Sequence, residues 1–381
     1  MKFIFRSFLA LLLTVSILAA SPSSVLEGKS TFPIAVWLQN PKNAAKFKAA
    51  GINLYVGLYR GPTAEQLEAL TKAGMPVICG QSARSLAFKD NPIIVGWMHD
   101  DEPDNAQALP EGKGWGPPVL PSVIQEDYRK MREADPTRPV LLNLGQGVAW
   151  DNWIGRGVRR NKPEDYPEYV KGADIVSFDI YPAVHDHVEV AGKLEFVARG
   201  VERLRDWAGP GRTVWNCIEA ARISNEKIKP TAEQIRSEVW MSIIHGSRGI
   251  IYFVHQFKPN FSEASLLEDT ELLRGVTRIN AQVQSLAPVI HSDPAGWEVI
   301  ATSEAGLKVA TMTREHLGTN YIFAVAMENR AGEISLKSPE LSRVGSVEVI
   351  DESRSVMVTS GGIRDEFKPY EVHLYRFKAV K

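Results

Sequence analysis

Between residues 32 and 286 the chain alternates short apolar runs with stretches of helical period. The apolar runs fall at 33–38, 52–58, 75–79, 93–98, 139–144, 174–180, 213–218 and 249–254. Each is short and apolar, most are rich in β-branched or aromatic residues, and several are closed by Gly, Pro, Asn or Asp, which reads as buried strands. The segments between them carry helix signals. Asn40 followed by Pro41 starts one helix, Thr63 caps another that Gly74 closes, and Ser122 and Thr231 cap two more. Strands that alternate with helices are parallel and joined by crossovers. Eight such units in about 255 residues predict a (β/α)8 barrel. An open doubly wound sheet would carry a Gly-rich turn after an early strand, and none is present.

Past residue 292 the pattern changes to a period of two. Runs at 297–302, 307–313, 321–327, 347–350 and 372–377 read as strands separated by Gly, Asn and Asp turns. No long helical pattern intervenes, which predicts a small antiparallel β-sandwich over 292–381 behind a barrel over 32–288. At the other end, Lys2 and Arg6 precede an apolar stretch at 8–19 and the small residues Ala19-Ala20-Ser21. Residues 1–21 therefore read as a signal peptide and 22–31 as a Ser/Pro linker, giving a secreted or periplasmic protein without stable membrane insertion.

Composition adds exclusions. With 44% hydrophobic and 23% charged residues and a net charge of −1, the chain offers no electrostatic reason to bind nucleic acid or an anionic membrane. Cys79 and Cys217 end the third and seventh strands, on opposite sides of the expected barrel. That is too far apart to bridge and predicts two free, buried thiols.

Barrel sites form at the C-terminal ends of the strands. The most pointed of these ends is 93–104, where an apolar run gives way to Asp100-Asp101-Glu102-Pro103-Asp104. Pro103 cannot continue the strand, so the acids are delivered at its end. The other ends contribute Trp37, Tyr59, Asn143, Asp179 and Tyr181, then Glu219, His255 and Gln256. Trp150 stands in a polar loop where it could stack on a sugar. Glu102 and Glu219 end strands three apart in the ring and could converge over the axis. Glycoside hydrolysis with retention needs two carboxyls about 5–5.5 Å apart.

The strand 4 Glu, the Tyr ending strand 6 and the strand 7 Glu resemble clan A glycoside hydrolases. Trp97-x-x-x-Asp101-Glu102-Pro103 and Asp179-x-Tyr181-Pro182 look most like families 42 and 5 of that clan. The resemblance covers the barrel. It implies Glu102 as general acid/base, Glu219 as nucleophile and Tyr181 as a hydrogen-bond donor to that nucleophile. The chain departs from the pattern in having Asp101 where the clan has Asn. A charge there raises the pKa of Glu102, and leaves Asp101 itself as a working carboxylate. Ala220-Ala221 replaces the frequent glycine after the strand 7 Glu.

Plainer readings stand beside these. Asp100 and Asp104 fit a solvated loop, Trp97 and Trp215 a core, and Glu219 an ion pair with Arg222. His185-Asp186-His187 has metal-ligand spacing but no further ligand set, and reads as a loop pair. The expectation is a secreted retaining O-glycoside hydrolase acting on poly- or oligosaccharide, without cofactor or metal. Its alternatives are an inert carbohydrate-binding barrel and a metal-dependent hydrolase built on Asp100–Glu102.

Overall fold

The computed structural model describes residues 24–378; the expected signal peptide lies outside them. Parallel strands β1 (Ile34–Trp37), β2 (Leu54–Val56), β3 (Val77–Gly80), β4 (Ile94–Met98), β5 (Val140–Leu144) and β6 (Ile175–Phe178) follow one another around the ring. The seventh position is split into β7 (Thr213–Val214) and β8 (Asn216–Glu219), and β9 (Ile250–Phe253) occupies the eighth. β9 pairs with both β8 and β1, β7 pairs with β6, and an Asp179–Cys217 bridge completes the closure. The expected eight-unit barrel is therefore the observed one.

The split in strand seven has a packing cause. The Trp215 indole turns into the barrel and lies so close to Gly249 that a Cβ there would stand 2.5 Å from the ring. Ala35, Val56, Ile78, Met98, Leu141 and Cys217 fill the interior with it. Val25 belongs to the same cluster, on a one-turn helix, Ser24–Glu27. The segment expected as a linker thus contributes to the barrel core. Cys79 and Cys217 are both buried and unbonded, as expected. Among the described residues no helix is long and apolar enough to cross a membrane.

The C-terminal unit has two antiparallel sheets. Strands β10 (Ile300–Thr302), β13 (Gly332–Lys337) and β16 (Gly362–Phe367) form one. The other holds β11 (Val309–His316), β12 (Thr319–Ala326), β14 (Ser346–Val349), β15 (Arg354–Met357) and β17 (Val372–Lys378). β13, β15 and β16 carry alternating polar residues and were not apparent from periodicity. The five-stranded sheet packs on the barrel helix Ala232–Ile244, where Trp240 and Phe323 stand 5.1 Å apart. Ser237 donates from its hydroxyl to the Tyr370 carbonyl (2.6 Å) and Arg236 to that of Val372 (2.9 Å). Met312, Phe323 and Leu374 join the barrel's own outer core, so the two units share one hydrophobic cluster.

Trp240→Ala should remove this shared anchor and cost about 3–5 kcal/mol of unfolding free energy, measured by urea denaturation. A loss below about 1 kcal/mol would mean that the units do not depend on each other at this point.

Candidate active site

Strand β4 stays apolar through Met98, and the chain then turns sharply. His99 is buried, with Nε2 2.8 Å from the Gly172 carbonyl. Glu102 adopts φ +46°, in the left-handed region that a non-glycine residue occupies only at a cost. Its N–H donates to the Asn143 carbonyl at the end of β5 (3.2 Å). A Cβ on Gly145 would crowd the Asn105 amide, at 2.8 Å from its Nδ2, and Glu102 Oε1 at 3.0 Å, so glycine there gives both side chains room. Asn105 donates to the Glu102 carboxylate and accepts from Trp153 Nε1 at 2.9 Å. The strained backbone and its neighbours fix where Glu102 points.

Three carboxyls meet here. Asp179, from the end of β6, faces Glu102, and its Oδ1 is buried with no conventional donor. Two facing carboxylates repel, whereas a proton held between them makes one a donor to the other. Burial, then the Asp179 charge, pushes Glu102 well above the usual carboxylate range. Burial also raises Asp179 to about 7, while the neighbouring Tyr181 hydroxyl favours its ionised form. Asp101 accepts from Asn143 Nδ2 at 2.9 Å, and Ser177 orients Asn143 by donating to its Oδ1 at 2.7 Å. Asp101 is exposed in the wall of a concavity but ringed by protein. That setting, with Glu102 beside it, brings its pKa up to about 7. The site thus sets a carboxyl pushed toward its protonated form next to one raised to about 7.

Two clefts flank this cluster. The larger, of about 780 Å³, has Asp101 in its wall with Trp37, Tyr59, Gln39 and His255. Phe253, Phe257 and Phe261 continue that wall, and His255 and Phe257 stack with rings 6.2 Å apart and nearly parallel. Tyr59 is 65% and Phe261 67% exposed, so apolar faces are presented to solvent inside a cleft. The smaller, of about 300 Å³, lies on the other side of Tyr181 and is lined by Trp150, Trp153, His185 and His187. Trp150, expected to offer its face to a sugar, is instead buried, held by Nε1 donation to Glu189 (2.6 Å) and packed on His187 at 4.7 Å. Aromatic faces beside carboxyls suit sugar rings, which offer apolar C–H faces and polar edges.

Glu219 is not part of this meeting. It is fully buried, with Oε1 accepting from the Ala183 N–H at 2.7 Å and Oε2 without a donor. Its nearest titratable partner is Glu238, itself fully buried on the outer helix Ala232–Ile244. Burial raises Glu219 to about 7, and a proton shared with Glu238 keeps the pair from carrying two charges. The expected convergence of Glu102 and Glu219 is therefore corrected. Glu219 braces the backbone at Ala183 and Val184, behind the wall of the smaller cleft, and it does not pair with Arg222. Tyr181 correspondingly attends Asp179.

Other expectations also change. Asp104, expected in a solvated loop, is fully buried, accepting from the Gly145 N–H (2.8 Å) and the Tyr166 hydroxyl (2.9 Å). Asp100 is exposed, as that reading had it. Gln256 braces its own turn through the Asn260 carbonyl (3.1 Å) and lines a separate cleft with Arg222. Trp97 and Trp215 are core. His185, Asp186 and His187 gather no third ligand, and no group of three or more His, Cys, Asp or Glu among the described residues is arranged to hold a metal ion. Sequence reading passed over Gln39, Phe257, Phe261 and Glu263; only their place, Gln39 after β1 and the other three after β9, marked them.

No family model and no curated protein matches the chain. Solved structures do. AmyP bound to maltotriose superposes with a TM-score of 0.58 at 9% identity, over 94% of this chain and 99% of that one. The α-amylase of Geobacillus thermoleovorans bound to acarbose gives 0.55 at 10% identity, over 93% and 99%. The GH42 β-galactosidase Gan42B of G. stearothermophilus gives 0.55 at 8% identity, over 92% and 98%. At these identities the likeness is one of fold, barrel and appended β domain together.

The carboxyl cluster has a consequence for stability. A carboxyl whose pKa is higher folded than unfolded binds more protons in the native state. Its contribution is therefore complete at low pH and declines as pH rises from about 4 to about 7. Asp179→Asn should flatten this decline and stabilise the protein by on the order of 1–3 kcal/mol at pH 8, with little gain at pH 4. Urea denaturation at both pH values checks it, and an equal effect at the two would contradict the shared-proton arrangement.

Proposed function

We propose that this protein is a glycoside hydrolase that cleaves O-glycosidic bonds of an oligo- or polysaccharide across the barrel mouth. The observation that supports this best is the Glu102 carboxyl facing buried Asp179 beside an accessible Asp101, set between two aromatic-lined clefts. Glu102 gives its proton to the leaving oxygen. Asp179 shares that proton in the resting site and helps return it from the incoming water. Asp101 attacks the anomeric carbon and releases the sugar in a second displacement, so the configuration is retained. The backbone turn at Glu102 splays two consecutive side chains, which is one way to reach a separation of about 5–5.5 Å. Maltotriose and acarbose in the similar structures support an oligosaccharide ligand, and the apolar stretch at 8–19 supports export.

A second reading, a carbohydrate-binding barrel without turnover, is favoured by one observation: Glu219, the residue that the clan pattern makes the nucleophile, is sealed away from solvent.

A panel of aryl glycosides and oligosaccharides separates the two. Binding by calorimetry without product over long incubation would favour the inert barrel. Given a substrate, Glu102→Gln should cut kcat/KM by about 10²–10⁴ for a poor leaving group and far less for a dinitrophenyl glycoside, which needs no acid. Asp101→Ala should lose turnover and recover it with azide as a glycosyl azide. If azide rescues Glu219→Ala instead, while Asp101→Ala keeps its rate, the two-glutamate assignment is right and this one fails.

A further inference from the structure

A further cleft, of about 1090 Å³, lies at the opposite end of the barrel, between the N-terminal ends of its strands and the β-sandwich. Thr213 and Val214 of β7 and the Gly246–Arg248 turn before β9 form its barrel side, and Thr311–Arg314 of β11 its other side. Four arginines line it: Arg205, Arg212, Arg248 and Arg314. Elsewhere Arg156 pairs with Asp165 at 2.7 Å and Arg354 with Asp365 at 2.8 Å, while Arg236 donates to the Val372 carbonyl; this cleft gathers four guanidinium groups. These four have no carboxylate partner among the described residues. They donate to carbonyls instead: Arg205 to His245, Arg212 to Ala173, Arg248 to Ile290 and Arg314 to Thr313.

Arg314 is the least satisfied. It is 8% exposed, and its Nε has no acceptor. Burial, then the neighbouring Arg248 charge, pushes its pKa down to about 10, and Arg248 is lowered by burial and by Arg205. Trp297 Nε1, in the same cleft, also lacks an acceptor. The acids that face the group, Asp206 and Glu298 in the wall and Asp293 near Arg314, are too few to neutralise it and too distant to pair with it. Unpaired donors and uncompensated positive charge in a concave site mark the place of an anion.

We propose that this cleft binds a tetrahedral oxyanion, either free phosphate or sulfate or a sulfate ester carried on a polysaccharide. The fork of Arg314 and the adjacent Arg248 would grip two or more of its oxygens, with Trp297 as an edge donor. The site lies at the far end of the barrel from Asp101 and Glu102, and the proposal is independent of the chemistry at the mouth.

The test is calorimetric titration of the whole protein with sodium sulfate, with sodium phosphate, and with a sulfated disaccharide and its unsulfated parent, against sodium chloride at matched ionic strength. Saturable binding near one equivalent is expected for the oxyanions and not for chloride. Arg314→Gln and Arg248→Gln should each weaken it at least 10-fold, and Arg314→Gln should also raise Tm without anion because an unpaired buried charge is gone. Sulfated disaccharide binding 10-fold tighter than sulfate would identify the polysaccharide ester as the source; equal affinity would identify the free ion. No saturable binding by wild type up to ~10 mM overturns the proposal, as does unchanged binding in a folded variant.

Discussion

The arrangement depends on how carboxyls are buried without being ionised together. Glu102 and Asp179 face each other at the barrel mouth, and Glu219 and Glu238 do so behind it. Among the described residues, neither pair has a cation to neutralise it. Each becomes tolerable by holding a proton, which turns a repulsion into a hydrogen bond. The first pair is beside solvent and therefore able to give its proton away. The second is sealed, and its role is confined to holding backbone.

Several features of the fold serve the first pair. β4 ends at Met98, and the left-handed turn at Glu102 aims its side chain. Gly145 leaves space for that carboxyl, and buried Asp104 ties the turn to the loop after β5 through the Gly145 N–H. Asn143, oriented by Ser177, holds Asp101 in the cleft wall. Strands β4, β5 and β6 thus supply carboxyls, orienting amide and hydroxyl from adjacent positions in the ring. β7 and β8, expected to supply the opposing carboxylate, instead give Trp215 and Cys217 to the interior and Glu219 to the backbone of the neighbouring loop.

Much of this was legible in the chain. Strand and helix periods gave the eight units and the change of pattern after 292. The acids before Pro103 marked the site, and the strand-end rule found Asp101, Asn143, Asp179 and Tyr181. What was not legible depended on partners distant in sequence. Glu219 was assigned to the mouth because its strand ends there, yet its orientation is set by Ala183 and by Glu238, which reads as one more acid in an amphipathic helix. Asp104 reads as a loop acid until Tyr166 closes over it. The β13, β15 and β16 strands are rich in charged and polar residues, so periodicity does not separate them from turns.

The most direct test of the shared proton is a carboxyl titration by ¹³C NMR in wild type, Glu102→Gln and Asp179→Asn. A proton should remain on the Glu102–Asp179 pair at about pH 6, lost in stepwise fashion on raising pH, and each substitution should shift the titration of the surviving partner. Two carboxylates that titrate independently at ordinary acidic values, each indifferent to replacement of the other, would contradict the account.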